Sequence, residues 1–279
     1  MTADFIKQID IDQLWKGRKP ISWKLNPEVN ILSGVNGMGK STIINKVVDA
    51  LRKLQKPYAD DGDESVRLTF SPEGATEITF DVVRSFDNTM IPASIAAKLT
   101  DGLIRSELDW RLYELQRRYL DYQVDIGNRM IRILSDGGPD AQQEAMKVSK
   151  PKTAFQDIID DLFGETFKTI DRQSNELRFI QYGEELSPYC LSAGEKQVLI
   201  ILLTVLLQNE CHCVLLMDEP EVSLHVEWQQ RLVRIIRGLN PNVQIILTTH
   251  SPAMIMDGWL DSVTEISDIE GQDPEAEQE

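Results

Sequence analysis

Basic residues are scarce in this 279-residue chain, in which 29 Lys and Arg stand against 45 Asp and Glu and give a formal net charge of -16. A protein that binds nucleic acid without sequence preference needs a basic surface. The charge balance therefore counts against broad nucleic-acid binding by the isolated chain. Eight of the acids lie in residues 261–279, which contain no Lys or Arg, so we expect a flexible acidic tail there.

Long apolar runs are absent as well. The longest, residues 198–207, contains Thr204 and is ten residues long, whereas a helix that spans a bilayer needs about 20. The first 15 residues lack the basic start and apolar run of a secretory signal. These absences predict a cytoplasmic protein with no membrane contact.

Cysteine is also rare. Three cysteines, an odd number without an export signal, favour reduced thiols. Cys211 and Cys213 flank His212, but no second Cys or His pair stands at ligand spacing. Because structural zinc needs about four converging ligands, we do not expect a metal site at these residues.

Strand and helix patterns alternate in two parts of the chain. The N-terminal part predicts three short strands in residues 4–33, a helix from Lys40 to about Leu54 and a β-hairpin in residues 65–84. The C-terminal part predicts the elements helix 195–208, strand 214–217, helix 226–237 and strand 243–249. This alternation predicts an α/β fold with a mostly parallel sheet and an antiparallel N-terminal subsheet.

A helical insertion separates these two parts. From about Ala96 to Ile133 apolar residues recur every 3.6 positions on average, which predicts one helix of roughly 55 Å. A second helical piece should be interrupted at Pro151 and resume at Thr153, where a capping box is expected. The charges on the helix are typical of a solvated surface, and an arm that binds a partner is the alternative. The resulting domains are an N-terminal lobe 1–95, a helical insertion 96–165, a C-terminal lobe 166–260 and the tail 261–279.

Residues 34–41 read Gly-Val-Asn-Gly-Met-Gly-Lys-Ser and fit the phosphate-binding (Walker A) pattern G-x-x-x-x-G-K-S, between an apolar strand and a helix. Backbone N–H groups and the helix N-terminus would hold phosphates. Lys40 would reach the β- and γ-phosphates of ATP, and Ser41 would bind Mg²⁺. The competing interpretation is a glycine-rich turn that only caps a helix. The predicted nucleotide-binding residues are Asn36, Gly37, Met38, Gly39, Lys40, Ser41 and Thr42.

Two acids and a histidine follow two of the apolar strands. Asp218 and Glu219 come after one strand, and His250 comes after the other. Ligands of open parallel sheets bind at the carboxyl ends of strands, so Asp218 suits coordination of Mg²⁺ through water. Glu219 suits activation of the attacking water, and His250 suits a contact with the γ-phosphate. An acidic turn and a structural histidine are the alternatives. The predicted catalytic set is Lys40, Glu219 and His250.

A second anion-binding helix end is expected at the segment Leu-Ser-Ala-Gly-Glu, residues 191–195. The glycine loop already holds the phosphates of its own subunit, so this segment is best explained by ATP bound to a second protomer. A simple Ser N-cap is the alternative. In the first interpretation, the residues that act on the partner's ATP are Ser192, Ala193, Gly194 and Glu195. We call these four the signature residues and the segment 191–195 the signature loop.

These segments together resemble the ABC-type ATPases, and among them the SMC-like and OLD-like AAA-family proteins. The resemblance rests on the form of residues 191–195, on the Glu-Pro-Glu…Leu-His form of residues 219–225 and on the helical insertion. It is dense over 29–44 and 186–252 and thin elsewhere. It implies a P-loop ATPase head that uses Mg²⁺ and hydrolyses ATP to ADP and phosphate. It also implies a head-to-tail homodimer with two ATP molecules between Lys40 of one subunit and Ser192 of the other.

Two features depart from the family pattern or stay open. No glutamine stands where such proteins carry their Q-loop, and Asp87 or Asn88 is the candidate substitute. Trp15 and Trp23 are candidates for stacking on adenine, although tryptophan in a small sheet is more often a packing residue.

The resemblance implies an ATP-dependent switch that dimerises and gates a separately encoded partner. Small ATPases of this kind resemble those of bacterial anti-phage defence systems, in which the effector is a nuclease or a toxin. The alternatives are a nucleotide-gated scaffold with little hydrolysis, an ATPase that engages DNA as repair proteins do, and an ATPase coupled to transport.

Overall fold

The computed structural model describes residues 1–15, 19–35, 37–55, 65–84 and 104–271. In these ranges eleven strands form three sheets. The strands are β1 Phe5–Ile11, β2 Ile21–Lys24, β3 Val29–Ser33, β4 Val66–Ser71, β5 Phe80–Arg84, β6 Lys168–Ile170, β7 Phe179–Gln181, β8 Glu184–Leu186, β9 Cys213–Asp218, β10 Val243–Thr248 and β11 Val263–Glu265. The α-helices of the described ranges are α1 Lys40–Gln55, α2 Glu107–Asp136, α3 Ala141–Phe163, α4 Ala193–Leu207, α5 Val226–Leu239, α6 Pro252–Met256 and α7 Ile266–Ile269.

The central sheet has the order β11-β3-β10-β9-β5, and every neighbouring pair in it is parallel. Alternate residues of its strands supply two hydrophobic cores. On β9, Val214 and Leu216 face the core that contains α1 and the N-terminal strands, whereas Leu215 and Met217 face the core that contains α2–α5. Burial on both faces explains why β9 and β10 are almost continuously apolar. The predicted α/β fold with a mostly parallel sheet is confirmed.

The N-terminal subsheet is antiparallel, as predicted, with the order β2-β1-β4. The predicted hairpin of residues 65–84 is wrong, because its two strands belong to different sheets. β4 pairs with β1, whereas β5 pairs in parallel with β9. Residues 72–79, which connect them, exceed the two to five residues of a hairpin loop. This connection contacts the N-terminal residues instead: the backbone N–H of Ala3 donates to the carbonyl of Glu77 at 2.7 Å.

The helical insertion forms a pair of helices that packs on α4. Ser106 caps α2 with a capping box, and Gly137 ends it in the left-handed conformation, φ 67°. The single helix predicted from about Ala96 is wrong at its start, because residues 104–106 are not helical and α2 begins at Glu107; residues 96–103 lie outside the described residues. α2 and α3 share one hydrophobic core with α4 and the central sheet, so the pair is joined to the α/β part of the chain over much of its length. The domain boundaries at 96 and 165 stay predictions.

The predicted interruption at Pro151 is wrong, because α3 continues through this residue. Val148 before the proline and Phe155 after it pack on the same core. This packing outweighs the loss of one backbone hydrogen bond. Thr153 is therefore not a helix cap, and its hydroxyl donates to the carbonyl of Ser149 at 3.3 Å.

The expectation of a flexible tail from residue 261 is also wrong for its first part. β11 extends the central sheet beside β3, with Val263 opposite Ile31. The backbone N–H of Gly271 donates to the carbonyl of Pro20 at 2.8 Å, and Glu270 pairs with Lys19 at 2.8 Å. Residues 272–279 lie outside the described ranges.

Helix α4 is apolar on all sides and almost completely buried. Its first turn is held by two ion pairs of low exposure. Glu195 pairs with Lys168 on β6, and Lys196 pairs with Asp109 in the first turn of α2, each at 2.8 Å. None of the helices in the described ranges has the length and apolar composition that a membrane crossing requires.

The Asp109–Lys196 pair should be a main contributor to stability. Burial alone would raise the pKa of Asp109, but hydrogen bonds from Lys196 and from the backbone N–H of Arg105 lower it. Loss of one partner of a buried pair typically costs about 3–5 kcal/mol because the other charge stays buried. We expect Asp109→Ala to lower the free energy of unfolding at pH 7 by about this amount, as measured by chemical denaturation.

The pH dependence tests the same pair. Because the pKa of Asp109 is lowered by folding, its contribution is complete above the ordinary carboxyl value of about 4 and is lost at lower pH. The difference between wild type and Asp109→Ala should therefore shrink in acid. Arg129→Ala, which removes an exposed pair with Asp125, is the control and should change stability by less than about 1 kcal/mol. Equal effects of the two variants would contradict the assignment.

Candidate active site

The glycine loop leads from β3 into α1, and Lys40 is the first residue of that helix. Lys40 Nζ donates to the carbonyl oxygens of Gly34 and Val35, at 2.7 and 3.3 Å. Gly39 has a φ of 100°, and a Cβ there would lie 2.9 Å from side-chain atoms of Leu14 and Trp15. The loop therefore needs glycine at this position, both for its backbone conformation and for the close packing around it.

Burial lowers the pKa of the Lys40 ammonium, and nearby carboxylates, chiefly that of Glu219, oppose the shift. The side chain is almost fully buried, with 5% of the residue exposed. The ammonium donates hydrogen bonds to loop carbonyl oxygens, and phosphate oxygens could replace these carbonyls as acceptors. A charged lysine at a helix N-terminus suits a polyphosphate ligand.

Asp218 connects the glycine loop to the strand end of β10. Its Oδ1 accepts hydrogen bonds from Ser41 Oγ at 3.0 Å and from Thr248 Oγ1 at 2.5 Å. The parallel register places Thr248 directly opposite Asp218. Hydroxyl and carboxylate oxygens are the ligands that Mg²⁺ prefers, and it usually keeps several of its waters. These residues therefore fit the predicted Mg²⁺ site, with Ser41 as a ligand and Asp218 acting through water.

The side chains of Glu219 and His250 lie close together just after the C-terminal ends of β9 and β10. Glu219 has a φ of 47°, an unusual conformation for a residue other than glycine. Its backbone N–H donates to the carbonyl and hydroxyl oxygens of Thr248, at 3.2 and 3.1 Å. The carboxylate then lies 3.3 Å from His250 Nε2, and both side chains are about one-third exposed.

Glu221 fixes the position of His250 through the backbone. Its Oε1 accepts hydrogen bonds from Thr249 Oγ1 at 2.6 Å, His250 N at 2.8 Å and Ser251 N at 3.3 Å. Its Oε2 is buried without a hydrogen-bond partner among the described residues. Ser251 Oγ in turn donates to Gln229 Oε1 at 2.6 Å. The loop that carries the histidine is therefore attached to the segment that follows Glu219.

The glycine loop, Glu219 and His250 line one open cleft of about 520 Å³. The lining residues are Trp15, Gly37, Gly39, Lys40, Ser41, Thr42, Glu219 and His250. Met38, another predicted nucleotide-binding residue, packs against the core around α1. Asn36, Asp87 and Asn88 lie outside the described residues.

The two tryptophans proposed for adenine stacking lie in different environments. Trp15 is 40% exposed and lines the cleft. Trp23 is buried, and its indole N–H donates to Thr264 Oγ1 at 3.2 Å. Trp15 is therefore the better candidate for contact with a base, and Trp23 is a packing residue.

The signature residues do not line the cleft of their own chain. Ser192 and Ala193 are exposed at the start of α4. A Cβ at Gly194 would collide with the carbonyl oxygen of Ser223, so the glycine allows the segment after Glu219 to lie against α4. Among the four predicted signature residues, two thus present side chains to the surface and one serves a close backbone contact.

Glu195 corrects the sequence interpretation, because its side chain faces inwards and is only 3% exposed. Its Oε1 accepts hydrogen bonds from Lys168 Nζ at 2.8 Å and Thr166 Oγ1 at 3.0 Å, and its Oε2 accepts one from Ser192 N at 2.9 Å. Burial would raise the pKa of Glu195, but these hydrogen bonds, first that of Lys168, lower it. The carboxylate shapes the signature loop and is not available to a partner's ATP.

Sequence reasoning assigned no role to Glu221 or Thr248, although both lie in segments that it singled out. Glu221 belongs to the Glu-Pro-Glu form, and Thr248 is the last residue of β10. Parallel pairing of the two predicted strands could have indicated Thr248, because residues at equivalent strand ends become neighbours. No local pattern could show that Glu221 reaches the backbone around His250, 29 residues away.

Comparison with known proteins identifies the family of the chain. The profile described as "AAA domain, putative AbiEii toxin, Type IV TA system" matches residues 92–257, more than half of the chain. The chain is 33% identical over 91 residues to "Retron Vc95 probable ATPase" of Vibrio cholerae, and this match covers 29% of this chain and 18% of that protein. It is 22% identical over 308 aligned positions to "Septu protein PtuA" of Bacillus thuringiensis, which covers 90% of this chain and 72% of that one.

A solved structure supports the fold. An SMC head, determined in complex with the C-winged helix domain of ScpA, aligns over 96% of this chain and 95% of its own, with a TM-score of 0.52 and 14% identity. This likeness shows an SMC-head-like P-loop fold. Glu219 and His250 line one cleft with the glycine loop, and the profile matches residues 92–257. The chain therefore belongs to the family described as "AAA domain, putative AbiEii toxin, Type IV TA system".

Proposed function

We propose that this protein binds ATP with Mg²⁺ and hydrolyses it to ADP and phosphate. The observation that carries the proposal is the meeting of Glu219 and His250, 3.3 Å apart, across one cleft from Lys40. A carboxylate beside an imidazole is suited to orient a water molecule and to accept its proton. Both side chains are partly exposed, so water has access to them.

The residues would divide the chemistry as follows. Lys40 and the α1 N-terminus would bind the phosphates and offset the negative charge that develops on them. Ser41 and Asp218 would hold Mg²⁺, which supplies further charge neutralisation when bound. Glu219 would take the proton of the attacking water, and His250 would hold that water near the terminal phosphate. Trp15 would contact the base.

We propose further that the active form is a homodimer with ATP between the subunits. The exposed Ser192 and Ala193 lie outside the cleft of their own chain. Ser192 is the N-cap of α4, and its Oγ accepts the backbone N–H of Glu195 at 3.3 Å. A helix N-terminus also carries a partial positive charge that favours a nearby anion. A second copy in head-to-tail orientation would bring this helix end to the nucleotide held by Lys40. The two-fold symmetry of such a dimer would produce two equivalent sites.

The biological setting we propose is bacterial antiviral defence, in which ATP-dependent closure gates a separately encoded effector. The support is the similarity to a retron ATPase and to a Septu protein. The match covers only 18% of the retron protein, so what the rest of that protein does is not carried over to this chain. The charge of -16 does not favour direct nucleic-acid binding.

Replacement of Glu219 tests the catalytic assignment. Glu219→Gln keeps the size of the side chain but removes the base, so we expect turnover to fall by about 10²–10⁴-fold. The variant should still bind ATP and should accumulate as an ATP-bound dimer. Phosphate release and solution mass with and without Mg-ATP measure the two effects. Glu227→Gln changes an exposed acid of α5 and is the matched control; a wild-type rate in Glu219→Gln would refute the assignment.

Replacement of Glu221 tests how His250 is positioned. Glu221→Ala removes the acceptor of three hydrogen bonds around His250, and a displacement of about 1 Å can cost about 10²-fold in rate. We expect kcat to fall 10- to 100-fold with little change in KM, since Glu221 does not line the cleft.

Glu221→Gln is the conservative comparison, because its amide oxygen can still accept these hydrogen bonds. It should recover part of the rate lost in Glu221→Ala. Thermal unfolding of both variants separates a positioning effect from loss of fold. An effect confined to KM, or equal losses of kcat in the two variants, would speak against a positioning role.

A further inference from the structure

Two exposed aromatic rings lie beside the small antiparallel sheet, whose strand β6 contacts the first turn of α4. Phe167 and Tyr182 are 66% and 78% exposed, and their ring centroids are 5.6 Å apart. Phe167 directly precedes β6 and Tyr182 directly follows β7. Because Lys168 pairs with Gln181 in the antiparallel register, the two aromatic residues are cross-strand neighbours. They cover only part of each other and leave most of their apolar surface in solvent.

The local backbone does not favour an aromatic residue at either position. Tyr182 and Gly183 form the two-residue loop between β7 and β8, with φ values of 52° and 84°. A two-residue hairpin loop with positive φ at both positions favours Asn or Asp followed by Gly. Phe167 ends a 3₁₀ turn in the left-handed conformation, φ 56° and ψ 32°, where Gly or Asn is preferred. Bulky residues at positive φ are outliers, and such strain clusters at functional sites.

The aromatic pair is attached to the signature loop. The residues on both sides of Phe167, Thr166 and Lys168, donate hydrogen bonds to Glu195 Oε1 at 3.0 and 2.8 Å. The other oxygen of Glu195 accepts the backbone N–H of Ser192 at 2.9 Å. Gln181 Nε2, beside Tyr182, donates to the carbonyl of Thr166 at 2.9 Å. Hydrogen bonds through Glu195 therefore connect the segment that carries the exposed rings to the loop that carries Ser192.

We propose that Phe167 and Tyr182 form a contact of the ATP-bound homodimer, in which they pack against a second copy of this chain. This inference rests on the ATP sandwich proposed above. A standard interface buries about 800 Å² per partner, which is more than the small residues of the signature loop supply by themselves. An aromatic side chain can bury roughly 150–250 Å², so the pair would provide a large share. Rigid aromatic rings near the centre of an interface are typical of its strongest contacts.

The test uses the double variant Phe167→Asn/Tyr182→Asn in the Glu219→Gln background. Asn is accepted at positive φ, so the double variant should keep or improve the thermal stability and the ATP affinity of the monomer. The dissociation constant of the ATP-dependent dimer should rise by about tenfold or more. Solution mass as a function of protein concentration, with and without Mg-ATP, measures this constant.

Two matched variants control for loss of apolar surface. Ile131→Asn removes another exposed apolar side chain, 63% exposed near the end of α2, and should leave the dimer unchanged. Tyr182→Phe keeps the ring without the hydroxyl and should also retain the dimer.

The outcomes separate this contact from the sandwich itself. If Glu219→Gln and the double variant dimerise with equal affinity, the aromatic contact is refuted and the sandwich stands. If Glu219→Gln binds ATP but stays monomeric, the sandwich and this contact both fail. If the double variant loses thermal stability together with dimerisation, the aromatic pair supports the fold of its own chain, which would also overturn the proposal.

Discussion

The in-register parallel pairing of β9 with β10 is the constraint on which the candidate site depends. It places Thr248 opposite Asp218 at one edge of the sheet, so that the next residues of both strands leave it side by side. β3 lies on the other side of β10 and leads into the glycine loop. A slip of one residue in this register would turn every side chain of the strand to the opposite face. The buried apolar strands thus determine the chemistry indirectly, because they fix where Lys40, Glu219 and His250 emerge.

A second constraint acts on the first turn of α4. Glu195 and Lys196 are adjacent in the chain, yet they pair with residues in different parts of the fold, Lys168 on β6 and Asp109 at the start of α2. Both carboxylates are almost fully buried and keep pKa values below the ordinary range despite that burial. The signature loop is therefore held between the small antiparallel sheet and the helical pair. Separating either ion pair would leave a buried charge without a partner, which is costly. We therefore expect a displacement of the small sheet or of the helical pair to move α4 and Ser192 with it.

The sequence was most informative where local chemistry and tertiary position coincide. The glycine loop could be recognised because its residues must contact phosphate in a fixed order between a strand and a helix. The strands β9 and β10 could be recognised because burial on both faces leaves an apolar run. The pairing of β4 and β5 could not be predicted, since alternation identifies a strand but not its neighbour. Packing on both sides of Pro151 and the addition of β11 to the sheet likewise depend on distant residues. The inward orientation of Glu195 depends on Lys168, which a spacing of 27 residues does not indicate.

The close contact between Gly194 and Ser223 has a consequence for the order of events in the proposed dimer. Ser223 follows Glu219, the proposed base of one nucleotide site, whereas Gly194 belongs to the helix end that would complete the other site. A change in one nucleotide would therefore alter the geometry around the second one through a backbone contact inside a single subunit. In the proposed dimer, the two sites would therefore not act independently. Turnover would show cooperativity in ATP, and a dimer with one inactive site would run at less than half of the full rate.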